Sequence, residues 1–178
     1  MKIQPLSIPD VSLIQNPVFK DDRGFFNETF KFNEALEFGL ANFVQENHSH
    51  SLQNVVRGLH FQNYPRPTAK LVRCISGEIF DVAVDIRPYS STYKKWIGVY
   101  LDGFSGRSLY IPGGFAHGFC VITQTADVVY KVSEYYDPQH DQSIRWDDPD
   151  LNIEWPISKD KVKISDKDKQ APYLKDIQ

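Results

Sequence analysis

Cysteine, excess positive charge and long apolar runs are all scarce in this chain, and each scarcity excludes something. Of 178 residues, two are cysteine, Cys74 and Cys120, each inside an apolar run. Two cysteines make no disulfide framework of the kind that staples small secreted domains, and neither spacing suggests a metal site, so buried free thiols are expected. No stretch approaches the ~18 consecutive apolar residues of a membrane-spanning helix. The opening Met1-Lys2-Ile3-Gln4-Pro5 lacks the apolar core of a signal peptide, and a soluble cytoplasmic protein is expected. Lys and Arg total 20 against 23 Asp and Glu, a net charge of −3, which gives no bulk attraction to nucleic acid or to an anionic membrane. An anionic ligand would therefore need a local basic pocket. Repeats, low-complexity tracts and linkers are missing too, so residues 1–178 are expected to form a single domain.

Helical patterning is sparse. One short helix is predicted over Asn33–Phe38, ended by Gly39, and the polar stretch Ile164–Leu174 reads as a short helix or an ordered tail. What is abundant is strand. In Glu78–Ile86, Phe80, Val82, Val84 and Ile86 make one apolar face, and Asp81, Ala83 and Asp85 the other. Further runs are Phe43–Asn47, Lys70–Ile75, Trp96–Leu101, Ser108–Ile111, Phe119–Thr123 and Val128–Ser133, parted by turn clusters such as Asp102-Gly103-Phe104-Ser105-Gly106 and Pro112-Gly113-Gly114. Many short strands without interleaved helices predict an all-β sandwich or barrel and argue against a Rossmann-type sheet.

The most chemically loaded segment is Arg57-Gly58-Leu59-His60-Phe61-Gln62, followed by Lys70-Leu71-Val72-Arg73. It reads as two adjacent strands joined by a Pro-containing loop. Strict alternation puts Val55, Arg57, Leu59 and Phe61 on one face and Val56, Gly58, His60 and Gln62 on the other. Arg57, Gln62, Lys70 and Arg73 near a histidine could hold an anion beside a base that works near neutral pH. Downstream, Pro112-Gly113-Gly114-Phe115-Ala116-His117 has the Pro-x-Gly-x-x-His spacing of the second conserved box of the cupin superfamily. Many cupins hold a metal, but the usual set of His-x-His, Glu and a second-box His is incomplete here. Gln62 stands two residues after His60, and no Glu occurs between Phe61 and Ile75. Lys70 brings a repelling cation, and the His48–His50 pair precedes the box among small polar residues. No metal is expected.

Taken in order, the motifs resemble the nucleotide-sugar 3,5-epimerases, the dTDP-4-dehydrorhamnose 3,5-epimerase family, nearly end to end. The residues carrying the resemblance are Asp22-Arg23-Gly24-Phe25-Phe26 with Glu28 and Phe30; Gln45-Glu46-Asn47 with Ser49; the Arg57–Gln62 segment; and Lys70-Leu71-Val72. They continue with Asp81–Arg87, Ile111-Pro112, Ala116-His117-Gly118-Phe119, Tyr130-Lys131, Tyr135-Tyr136, Ile144–Pro149, Trp155-Pro156 and Ser165-Asp166-Lys167-Asp168. The resemblance implies a cupin-type double-stranded β-helix (a jelly-roll barrel) with short peripheral helices, a homodimer and no cofactor. It implies a nucleoside-diphosphate-linked 4-keto-6-deoxyhexose as substrate, inverted at C3 and C5 through an enolate.

Such chemistry needs a base for the C–H, a cation or donor for the oxyanion, and an acid on the opposite face. His60 is the candidate base. The resemblance gives it Asp168 as partner; Asp81 and Asp85 are rivals, lying off the apolar face of a central strand. Lys70 is the candidate oxyanion stabiliser, with a structural salt bridge to Asp81 or Glu78 as the alternative. Tyr130, where the family has its proton donor, is the candidate acid, since a phenol of pKa ~10 keeps its proton at neutral pH; Tyr135 and Tyr136 compete. For binding, Arg57 and Arg23 suit a diphosphate, and Phe19 or Phe26 suits stacking on the base. Gln45, Glu46 and Asn47 resemble the family's polar contacts to the nucleotide, and His117 would line the sugar site. Tyr136, Asp141 and Lys167 are further contacts. The resemblance places Arg23, Phe26 and Glu28 in a strand that reaches the neighbouring subunit's site. Thr68-Ala69 and Asp141 depart from the common pattern, leaving open the nucleotide and whether both carbons are inverted. A metal-dependent oxygenase and a non-catalytic sugar-nucleotide binder remain the competing classes.

Overall fold

A computed structural model describes residues 1–177. In chain order the elements are β1 (Lys2–Pro5), β2 (Ser12–Gln15), β3 (Val18–Asp21), β4 (Gly24–Asn27), α1 (Phe32–Glu37), β5 (Gln45–Leu52), β6 (Val56–Gln62) and β7 (Lys70–Ser76). They continue with β8 (Glu78–Asp85), β9 (Trp96–Asp102), β10 (Arg107–Ile111), β11 (Phe115–Val121), β12 (Thr125–Val132), β13 (Asp141–Ser143) and α2 (Asp166–Lys169). Two antiparallel sheets carry the fold: one in the order β1-β2-β10-β7-β12-β5, the other β13-β6-β11-β8-β9. Strands β3 and β4 form a separate hairpin. This is the expected all-β jelly-roll barrel.

The main core lies between the two sheets. Ile79 and Ala83 of β8 and Phe115, Phe119 and Val121 of β11 meet Val72, Cys74, Leu109, Ile111 and Val128 of the other sheet. The period-two pattern of β11 spans Phe115–Val121, four residues earlier than the predicted start, because small Ala116 and Gly118 disguise the alternation. Helix α1 falls one residue before its predicted bounds, and Gly39 closes it at φ +73, left-handed geometry that a glycine adopts without strain. Strand β5 extends through His48 and His50 to Leu52, well beyond the predicted Asn47. Its polar alternation suits an edge strand with one face toward solvent.

The apolar face of β8 has a different destination from its acidic face. Phe80, Val82 and Val84 point outward, where Ile144, Leu151, Leu174 and Trp155 of the C-terminal segment cover them. Full burial of such side chains is worth about 1.5–3 kcal/mol each, so this segment is tied down along its length. It then runs back beside β6, with Val56 N–H donating to Lys163 O at 2.9 Å and Lys163 N–H donating to Asn54 O at 2.8 Å. Helix α2 ends up against β6.

Two expectations about the loaded segment need correction. Strands β6 and β7 are not neighbours in one sheet: the Pro-containing loop crosses from one sheet to the other. Lys70 thus faces β6 across the barrel. Arg73 is three residues on, and odd spacing turns it outward, because Lys70, Val72 and Cys74 take the interior.

The second correction concerns alternation in β6. The ladder with β11 pairs His60 with His117 but Arg57 with Phe119, so three residues on β6 span two on β11. The inserted residue is Gly58, a β-bulge. It puts Arg57 and His60 on the same, inward side, while Val56, Leu59 and Phe61 pack outward. Only glycine fits: φ is +120, and a Cβ would stand 2.6 Å from Gly118 Cα and 2.7 Å from His117 O.

Candidate active site

The inward faces of the two sheets enclose a cavity of about 280 Å³. Arg57, His60 and His117 line it from the β6–β11 sheet. Gln45, Asn47, Lys70 and Tyr130 line it from the β7–β12–β5 sheet. Tyr136, Asp141 and Lys167 stand at its rim.

His60 Nε2 is 2.6 Å from Asp168 Oδ1. The carboxylate is delivered by α2, whose Ser165 side chain caps the helix by accepting from Asp168 N–H. The bulge contributes as well: Gly58 N–H, released from the ladder, donates to Asp168 Oδ2 at 3.4 Å. Burial pushes the Asp168 carboxyl up, but the His60 hydrogen bond and charge, with the Gly58 and Ser165 contacts, outweigh it and hold it below the usual aspartate value. The carboxylate is thus ionised at neutral pH. It accepts from Nε2–H, which leaves Nδ1 of His60 with the lone pair.

Asp81 and Asp85, the rival partners, are engaged elsewhere. Asp81 Oδ1 is 2.7 Å from His117 Nε2. Asp85 accepts from Arg87, Ser90 and Thr92 at the far end of β8.

Lys70 is buried, at 8 % exposure. Its Nζ donates to the His60 carbonyl at 3.1 Å, and among the described residues no carboxylate stands within ion-pair distance of it. The proposed structural salt bridge to Asp81 or Glu78 is therefore not formed. Desolvation drives the Lys70 pKa down to about 8, with the charges of Asp81 and Asp141 pulling the other way. Tyr130 goes in the opposite direction: burial raises its phenol above the ordinary value, while Arg57 and an Asn47 hydrogen bond oppose the rise. It remains protonated through neutral pH. Of its competitors, Tyr135 is turned away from the cavity and Tyr136 sits exposed at the rim.

Arg57 is braced by Ser51 Oγ at 2.9 Å and by the His50 carbonyl at 3.3 Å. Among the described residues it has no carboxylate partner, so its charge is available to an anion. Lys167 Nζ donates to Asp141 Oδ2 at 2.7 Å, and Tyr136 Oη reaches the same oxygen at 3.5 Å. Gln62 is spent on structure: it donates to Thr68 Oγ1 at 2.7 Å and accepts from Asp137 N–H at 2.8 Å, clamping the crossing loop.

Five of the substrate-binding candidates lie outside this cavity. Glu46 is a correction: it alternates with Gln45 and Asn47, so it projects from the opposite face of β5 and pairs with Lys131 at 2.5 Å. Phe19, Arg23, Phe26 and Glu28 sit on or beside the β3–β4 hairpin, away from the cavity of their own chain. Arg23 reaches Asp21 at 2.6 Å with 86 % of its side chain exposed. His48 and His50 share Asp127 Oδ1, at 2.9 and 3.1 Å, on the solvent side of β5. Among the described residues no group of three His, Cys, Asp or Glu side chains is placed to hold a metal ion.

Comparison with known proteins sets this site in context. The family model for dTDP-4-dehydrorhamnose 3,5-epimerase matches residues 5–176. The dTDP-4-dehydrorhamnose 3,5-epimerase of Shigella flexneri is 48% identical over 171 residues, covering 94% of this chain and 93% of its own. The crystal structure of dTDP-6-deoxy-D-glucose-3,5-epimerase from Legionella pneumophila Philadelphia 1, in complex with dTDP-4-keto-L-rhamnose, superposes with a TM-score of 0.95 at 42% identity, covering 99% of this chain and 94% of that one. ChmJ, a 3'-monoepimerase from Streptomyces bikiniensis in complex with dTDP-quinovose, has a TM-score of 0.87 at 32% identity, covering 96% and 87%. By sequence and by fold over nearly its whole length, this chain belongs to the dTDP-4-dehydrorhamnose 3,5-epimerase family.

Proposed function

We propose that this protein is an isomerase that inverts C3 and C5 of dTDP-4-dehydro-6-deoxy-D-glucose, giving dTDP-4-dehydro-L-rhamnose. The observation that carries the reading is the placement of His60 and Tyr130 on opposite walls of one cavity, in different sheets. A carbon adjacent to the C4 ketone loses its proton to Nδ1 of His60, and the electron pair moves into the C–C bond and onto oxygen as an enolate. Asp168 stabilises the resulting imidazolium, as the carboxylate of a protease triad does. Lys70, buried and without a carboxylate partner, meets the enolate oxygen; in a water-poor site such a cation is worth far more than in bulk water. Tyr130 returns a proton to the other face of the carbon, and the configuration inverts. Bulk solvent then reprotonates the phenolate and takes the proton from the imidazolium.

Binding draws on Arg57, the cation left without a carboxylate partner, and on the polar groups at the rim. Arg57 takes the diphosphate, with Lys167 at the rim in support. Gln45 and Asn47 contact the nucleotide, while His117 lines the sugar site. Exposed Phe19 and Phe26, stacked at 6.4 Å between ring centroids, and Arg23 belong to a hairpin outside both sheets. We assign them to the neighbouring subunit's site in a homodimer. There the hairpin covers the cavity mouth, with Glu28 beside it and Phe19 or Phe26 stacking on the base. An active monomer insensitive to Arg23→Ala would contradict that assignment.

The test is turnover in D2O with dTDP-4-dehydro-6-deoxy-D-glucose, read by NMR at each carbon. Inverted product carrying deuterium at both C3 and C5 is expected. Exchange confined to C3, the regiochemistry of a 3'-monoepimerase, would restrict the activity to one centre. No exchange at either carbon would refute the reading.

A further inference from the structure

His117 and Asp81 form a second imidazole–carboxylate pair, and the chemistry above leaves its carboxylate without a task. Asp81 is fully buried on the inward face of β8. One oxygen, Oδ1, holds His117 Nε2 at 2.7 Å. The other, Oδ2, is buried with no hydrogen-bond partner. A buried carboxylate oxygen left unpaired is costly unless a charge nearby offsets it. The same barrel interior holds the complementary anomaly: Lys70 is the one buried lysine or arginine among the described residues, and no carboxylate is in ion-pair contact with it. The Asp81 charge favours the ammonium form of Lys70 against the cost of burial, so the two unbalanced charges act on one another.

We propose that Asp81 is a positioning residue of the reaction. It fixes His117 as the Nε2–H tautomer, so that Nδ1 accepts from a sugar hydroxyl beside the ketone, and its second oxygen is the counter-charge that keeps Lys70 an ammonium for the enolate. The idea rests on the epimerase reading above and deepens it. The tautomer follows from the acceptor-only chemistry of a carboxylate. Burial lowers the His117 pKa and the Lys70 charge lowers it further, with Asp81 opposing, so the ring stays neutral and its second nitrogen stays an acceptor. Lys70 Nζ meets the His60 carbonyl on β6, and the charges that act on it are those of Asp81 on β8 and Asp141 on β13; the other titratable groups lining the cavity are His60, His117, Tyr130, Arg57, Glu134, Tyr136 and Lys167. Asp141 is already engaged by Lys167 and Glu134 by Arg66, which leaves Asp81 as the carboxylate near Lys70 with no lysine or arginine partner.

The experiment has two arms. In the first, the pH profile of kcat/KM is compared for the wild-type enzyme and Asp81→Asn, with dTDP affinity measured alongside. Loss of the counter-charge is expected to move the alkaline limb to lower pH by about one unit or more, with dTDP affinity unchanged. A folded variant whose limb stays in place overturns the proposal, because a merely structural Asp81 would change stability and not that limb. The second arm needs no variant: 15N NMR of the wild-type imidazoles should show His117 neutral and protonated on Nε2 from roughly pH 6 to 9. A charged His117, or one protonated on Nδ1, overturns the proposal even if Asp81→Asn fails to fold. If the wild-type enzyme showed no turnover, the epimerase reading would fall, while the NMR arm would still judge Asp81.

Discussion

His60 and His117 are register partners on β6 and β11, each bound through Nε2 to an aspartate at 2.6 or 2.7 Å, yet the two pairs are built for different work. The His117 pair is sealed, with side-chain exposures of 7 % and 0 %, and its aspartate comes from the adjacent strand β8. The His60 ring is 35 % exposed to the cavity over an aspartate at 6 %, and that aspartate arrives from 108 residues downstream. Burial disfavours a charged imidazole. The sealed pair therefore suits a ring that stays neutral and accepts. The half-open pair suits one that gains and loses a proton, because solvent as well as substrate can reach it. Identical hydrogen bonds do not make identical residues; access and surroundings separate them.

The sharpest way to break this comparison is to exchange the two rings' fates. His60→Asn should lower turnover by ~10²–10⁴-fold, the range of a lost general base, and abolish solvent exchange at both carbons; rapid exchange by that variant would move the base elsewhere, His117 included. Asp168→Asn comes next. The ring remains but loses its anionic partner and its tautomer, and a fall in kcat on the order of 10²–10³-fold is expected, with KM little changed. A stopped-flow or product-release assay that found kcat intact would reduce Asp168 to a structural tether.

Lys70→Met tests the cation between the pairs. A loss of about 10²-fold in kcat is expected, and the wild-type profile should lose activity as pH rises through about 8, since the ammonium is the active form. A profile flat to much higher pH would contradict that role. The smallest effect lies outside both pairs. Arg57→Ala should weaken dTDP binding about tenfold by calorimetry, leaving kcat nearly unchanged; unaltered affinity would show that the diphosphate lies elsewhere.

Much of this was legible in the residues. The alternation of Glu78–Ile86 gave a central strand with an apolar and an acidic face. It did not reveal that the apolar face packs outward under the C-terminal segment, because nothing local distinguishes a face covered by sheet from one covered by a returning tail. His60 and Lys70 were visible as chemistry-bearing residues on strands, Tyr130 was singled out from its neighbours by the resemblance, and the structure brings all three to one cavity. Their arrangement across it was not legible, since the loop after Gln62 gives no sign of crossing between sheets. Arg57 was assigned away from His60 because strict alternation carries no provision for an extra residue. Gly58 between two larger residues was the available signal of a bulge. Asp168 could not be paired from its polar surroundings, and the resemblance alone supplied it. The hairpin β3–β4 and strands β1 and β2 went unread as strands in the residue pattern, being four residues each, too short for periodicity to register.

The central claim is that one wall removes a proton and the facing wall returns one. Tyr130→Phe in D2O, followed by NMR at C3 and C5, addresses it directly. The account predicts deuterium entering without inversion, as His60 hands a solvent-derived proton back to the face it left, and inverted product falling by ~10²-fold or more. Normal inversion by this variant, or complete loss of exchange, would contradict it.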